Sequence, residues 1–88
     1  MKLKEGFILR EVAGTWIILA VGAACVDFNG VLTLNETGAQ LWKLLEAGKT
    51  QQELVDYLLQ EYEVSEPQAQ ADVDEFLNVL HQVGCLVK

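Results

Sequence analysis

The sequence predicts an α+β fold in one domain: a three-stranded antiparallel sheet over residues 1–34, followed by three helices over residues 35–88. Three observations predict it. The chain has 88 residues, 51% of them hydrophobic and 22% charged, which suits one modest core. The composition changes once, near Asn35: β-branched and aromatic residues punctuated by glycine give way to apolar residues at helical spacing. Each of the three later segments opens on a residue suited to cap a helix.

The strands come first. Phe7–Val12 reads as a strand, Ala13-Gly14 as a turn and Thr15–Val21 as a second strand. The second is apolar on both faces, which places it in the middle of the sheet. Asn29-Gly30 lies between Val26-Asp27-Phe28 and Val31–Leu34. It is a hairpin signal, because both residues accept positive φ. Val31–Leu34 is then the last strand before the helices. Gly22–Cys25 carries no decisive pattern.

The helices follow. Asn35 is a suitable N-cap for the first, which sets Leu41, Trp42 and Leu45 on one face and ends at Gly48. Thr50 with Glu53 forms a capping box for the second, whose stripe is Leu54, Val55, Leu58, Leu59 and Tyr62. Ser65 with Gln68 caps the third, and Pro67 fits its first turn. Its stripe is Ala69, Val73, Phe76, Leu77, Leu80 and Val83. Gly84 ends it, leaving Cys85-Leu86-Val87 as an extended tail.

Charge narrows the function. Thirteen acidic residues against six basic ones give a net charge of −7. From Thr50 to Val87 there is no basic residue, whereas Glu53, Asp56, Glu61, Glu63, Glu66, Asp72, Asp74 and Glu75 are acidic. Such a surface repels nucleic acid and anionic membranes and favours neutral or basic partners. The apolar run Trp16–Val26 is too short to span a bilayer, and no secretory signal stands out. A cytoplasmic setting with reduced thiols is the expectation.

Catalytic groups are sparse. His81 is the single histidine. A metal set of Cys25, His81 and Cys85 is disfavoured, because Gly84 interrupts the helix between the last two. The thiols read as buried structural cysteines and His81 as a surface residue at a helix C-terminus. No phosphate-binding glycine loop precedes a helix. Asp72, Asp74 and Glu75 read as a solvated acidic face, or as a docking surface for a basic peptide. Trp42 reads as core, while Trp16 fits either a core or an edge position. No enzyme activity, cofactor or metal is expected.

A sheet joined to three helices also matches the winged helix-turn-helix frame, which commonly reads DNA through a basic recognition helix. The third helix here has no basic residue. A nucleic-acid-binding or regulatory winged helix is therefore the alternative reading, and electrostatics opposes it.

The residues also carry a family resemblance. Leu34-Asn35-Glu36-Thr37-Gly38-Ala39-Gln40-Leu41-Trp42 resembles the LNxTGxxIW segment of PqqD-like proteins. Leu44-Leu45-Glu46-Ala47-Gly48-Lys49-Thr50 is similar to the segment that follows it. Asp72-Val73, Phe76-Leu77, Leu80 and Gly84-Cys85-Leu86 resemble the family's DVxxFLxxLxxxGLL ending, with Cys85 in place of an aliphatic residue. Phe7–Gly14 is similar to its first strand. The resemblance covers nearly the whole chain, and it rests on the order and spacing of motifs that are degenerate singly.

The resemblance implies a RiPP recognition element, that is, a non-catalytic peptide chaperone. Such a protein binds the leader segment of a ribosomally made precursor peptide and presents it to a modifying enzyme, either a radical SAM enzyme or a leader peptidase of the lasso type. It implies that the leader adds as an antiparallel strand beside Val31, Leu32, Thr33 and Leu34. It places the groove wall on Asp72, Val73, Phe76, Leu77 and Leu80. Independently of the resemblance, an exposed edge strand is the element that strand addition needs. The same edge is compatible with a monomer or a homodimer.

Overall fold

The computed structural model describes residues 2–21 and 31–87. Its elements are β1 (Lys2–Leu3), β2 (Phe7–Val12), β3 (Thr15–Ala20), β4 (Val31–Leu34), α1 (Glu36–Glu46), α2 (Gln51–Glu61), α3 (Glu66–Gln82) and β5 (Leu86–Val87). The expected α+β order holds: a three-stranded antiparallel sheet, β2-β3-β4, followed by three helices among the described residues.

Ala13 and Gly14 both take positive φ, at 51° and 80°, the geometry that lets a two-residue turn follow the twist of its strands. β3 pairs with β2 from Phe7↔Ala20 to Val12↔Thr15, and with β4 from Trp16↔Leu34 to Leu19↔Val31. The doubly apolar strand is thus the central one. It ends at Ala20 rather than Val21, which is exposed and donates its N–H to the Gly6 carbonyl at 2.7 Å. The Asn29-Gly30 hairpin, the segment Val26–Phe28 and Cys25 lie outside the described residues.

Strand alternation sorts the sheet's side chains. Ile18, fully buried, shares its face with its register partners Leu9 and Leu32, and that face packs on the helices. Into it the helices insert Leu41, Trp42 and Leu45 from α1, Leu54, Val55 and Leu58 from α2, and Ala69, Val73, Leu77 and Leu80 from α3. Trp42 is fully buried, and among the described residues its indole nitrogen has no hydrogen-bond partner.

The helix ends are built as the sequence indicates. Asn35 Oδ1 accepts from the Gly38 N–H at 2.7 Å. Thr50 and Glu53 form the reciprocal capping box, at 3.2 and 3.0 Å. Ser65 Oγ accepts from the Gln68 N–H at 3.3 Å. Gly48 and Gly84 take φ of 85° and 82° just past α1 and α3. At α1 the N–H groups of Gly48 and Lys49 donate to Leu45 and Leu44; at α3 those of Gly84 and Cys85 donate to His81 and Leu80. Both ends are Schellman motifs, which satisfy carbonyls that a helix leaves unpaired.

One pairing was not anticipated. The extended tail is a strand: Leu86–Val87 pairs antiparallel with Lys2–Leu3, and the Lys4 N–H donates to the Cys85 carbonyl at 2.7 Å. The two ends of the chain meet beside the C-terminus of α3. Among the described residues no helix is long and apolar enough to cross a membrane.

Candidate functional site

A groove of about 510 Å³ runs between β4, the start of α1 and the outer side of α3. Leu32, Thr33 and Leu34 line one side, and Asp72, Glu75, Phe76 and Val79 line the other. Asn35, Thr37, Gly38 and Leu41 close the end where β4 passes into α1.

The β4 wall is an edge, not a face. Side chains alternate along a strand, yet three consecutive residues border the groove. Among the described residues β4 pairs with β3 alone, so its second side carries main-chain donors and acceptors turned away from β3. Within a strand, alternate residues direct N–H and C=O to opposite edges. Two of the four β4 residues therefore present both groups on the groove side.

The geometry sorts the residues expected at the site. Leu32, Thr33, Leu34, Asp72 and Phe76 come together at the groove. Val31 lies at the start of the strand, 57% exposed, on the face turned away from the helices. Val73, Leu77 and Leu80 are core residues, 0%, 8% and 0% exposed, and none of them lines the groove. On a helix these form one stripe with Ala69, whereas Asp72, Glu75, Phe76 and Val79 form the neighbouring stripe at i, i+3, i+4 and i+7. Val79 was missed, and Glu75, read from the sequence as part of an acidic face or peptide-docking surface, was not placed on the groove wall, although that period marks both once Asp72 and Phe76 are placed.

Several contacts hold the closed end of the groove in place. Asn35 caps α1 through Gly38, where an added Cβ would meet Asn35 Oδ1 at 3.2 Å and Leu34 Cβ at 3.4 Å. The Thr37 hydroxyl donates to the Tyr62 hydroxyl at 3.0 Å, tying α1 to the end of α2. Glu36 Oε2 accepts from the Trp16 indole N–H at 2.8 Å and Oε1 from Gln40 at 3.2 Å. These bonds, with Lys43 nearby, hold the Glu36 carboxyl below its ordinary value despite some opposing desolvation.

The groove wall on α3 is negative. Asp72 and Glu75 are exposed on it, and Asp72 Oδ1 accepts from Gln68 at 2.8 Å. Asp74, also exposed, does not line the groove, and its Oδ1 accepts from Gln51 of α2 at 2.6 Å. The amide partners leave the charge uncompensated, and among the described residues none that lines the groove is basic. A helix so charged is poorly suited to phosphate backbones.

The other candidates for chemistry lie apart. His81 is exposed near the C-terminus of α3. Cys85 is fully buried, and burial pushes its thiol up to about 11, far from the thiolate that a nucleophile or metal ligand needs. Among the described residues no three His, Cys, Asp or Glu side chains are grouped as a metal site.

The family model described as coenzyme PQQ synthesis protein D (PqqD) matches residues 15–86. Two solved structures share the fold. TbiB1 in complex with the TbiA(beta) leader peptide is 27% identical, with a TM-score of 0.77 over 93% of this chain and 90% of that one. A lasso peptide synthetase B1 complexed with its leader peptide is 21% identical, with a TM-score of 0.81 over 99% and 96%. No curated protein matches the chain.

Proposed function

This chain belongs to the PqqD family, and we propose that it binds the leader segment of a ribosomally made precursor peptide as an added strand on β4. The observation that carries the reading is the β4 edge, open among the described residues and facing a groove whose far wall is α3. Main-chain groups of β4 supply hydrogen bonds to any extended segment, and the side chains of the groove supply selectivity. The two matched structures, both complexes with leader peptides, support the same ligand class.

The protein works by capture and presentation, without a reaction of its own. A leader held along β4 has one row of side chains in the groove and the alternate row on the open face of the sheet. The partner is a modifying enzyme, a radical SAM enzyme or a leader peptidase, that receives the leader in this form.

The test is calorimetric titration with synthetic leader segments from short reading frames beside its gene. One of them should bind saturably at one site, with a Kd of about 10 μM or tighter, equivalent to ~7 kcal/mol. Absence of binding by every such segment would refute the proposal.

A further inference from the structure

Two chemistries lie side by side on the α3 wall. Asp72 and Glu75 are exposed acids, while Phe76 and Val79 are half-buried apolar side chains. At 1.5 Å of rise per residue, the midpoint of the acidic pair lies about 6 Å along the helix from the midpoint of the apolar pair. A strand advances about 3.3 Å per residue, and every second side chain points the same way. About 6 Å along the helix therefore corresponds to two residues of an extended peptide lying beside it.

Nothing in the groove answers the negative charge. Among the described residues none that lines it is basic, and the sequence has no lysine or arginine between Thr50 and Val87. Gln68, the hydrogen-bond donor to Asp72, is neutral.

We infer that the groove selects a peptide segment with a basic side chain two residues from a large apolar one. The basic group lies against Asp72 and Glu75, and the apolar group lies on Phe76 and Val79. The inference rests on the strand-addition reading and specifies the side-chain pattern of its ligand. Because both acids are exposed, each ion pair contributes a modest factor that salt screens. An acid at the same peptide position meets two like charges and is rejected.

A randomised peptide library selected on the immobilised protein supplies the probe. The selected peptides are then synthesised with Lys, Gln or Glu at the enriched position, and their contacts are mapped on the β4 amides by NMR. Selected sequences should show Lys or Arg two residues from an aromatic or large aliphatic residue. The Lys form should bind the Asp72→Asn/Glu75→Gln variant about three- to tenfold more weakly than the wild type at low salt. The Asp72→Lys/Glu75→Lys variant should prefer the Glu form. Both acids are exposed, so these variants keep the core intact. Peptides that perturb β4 but bind wild type and variants equally in all three forms would overturn the charge filter and leave strand addition standing. Failure of every peptide to perturb β4 would overturn both.

Discussion

The indole N–H of Trp16 donates to Glu36 Oε2 at 2.8 Å, joining the central strand to the first turn of α1. Trp16 stands in register with Leu34, and Lys43 Nζ lies 4.6 Å from its ring centroid. The end of β4 that borders the groove is thus bracketed by a strand residue on one side and a helix terminus on the other.

Trp16→Phe should release Glu36. The indole bond is the largest influence lowering that carboxyl, ahead of Gln40. In the wild type, NMR titration should place Glu36 below 4.5; in the variant it should move back toward 4.5. A folded-state value below the unfolded one stabilises the fold at higher pH, and that contribution is lost as pH falls through the folded value. Acid unfolding below about pH 4.5 should therefore be less steep in the variant. An unchanged Glu36 titration would contradict the bond.

Leu80→Ala and Phe76→Ala should separate core from groove. Leu80 is fully buried, so its truncation should cost about 2–5 kcal/mol in denaturant unfolding. Phe76 is only half-buried and lines the groove, so its truncation should cost less stability and more peptide affinity. Equal stability losses with unchanged binding by Phe76→Ala would contradict the sorting.

Thr50→Ala should lower stability by about 1 kcal/mol, because one side of the capping box is removed. In a domain of this size that is a fall of roughly 4–8 °C in Tm. A melting temperature within a degree of the wild type, as a rough threshold, would show that α2 does not depend on its cap.

Cys85 should react slowly with a thiol reagent in the native state at pH 8 and rapidly after unfolding. It is fully buried, and its raised thiol value leaves little thiolate. The same shift stabilises the fold below the unfolded value near 9, and the contribution is lost as pH rises toward about 11. Fast native reactivity would contradict the burial.

Much of this was legible in the residues because it is local. Asn35, Thr50 and Ser65 sit next to the backbone they cap, and Gly48 and Gly84 take the positive φ expected after a helix. The central place of β3 followed from its lack of a polar face. The β1–β5 pairing was not legible: two-residue strands have no period, and Leu3 meets Leu86 across almost the entire chain.

The groove was half legible. Family motifs retain residues for packing and for binding alike, so Val73, Leu77 and Leu80 came forward with Asp72 and Phe76. Only the rotation of α3 on the sheet separates them, and that rotation is set by tertiary contacts of Ala69, Val73, Leu77 and Leu80. Glu75 and Val79 follow from the same rotation.

Amide hydrogen exchange at β4, measured with and without a bound leader segment, tests strand addition most directly. Two alternate amides among Val31, Leu32, Thr33 and Leu34 should become protected on binding, because their N–H groups pass from solvent to the peptide. Binding that leaves the exchange of all four unchanged would contradict an added strand on this edge.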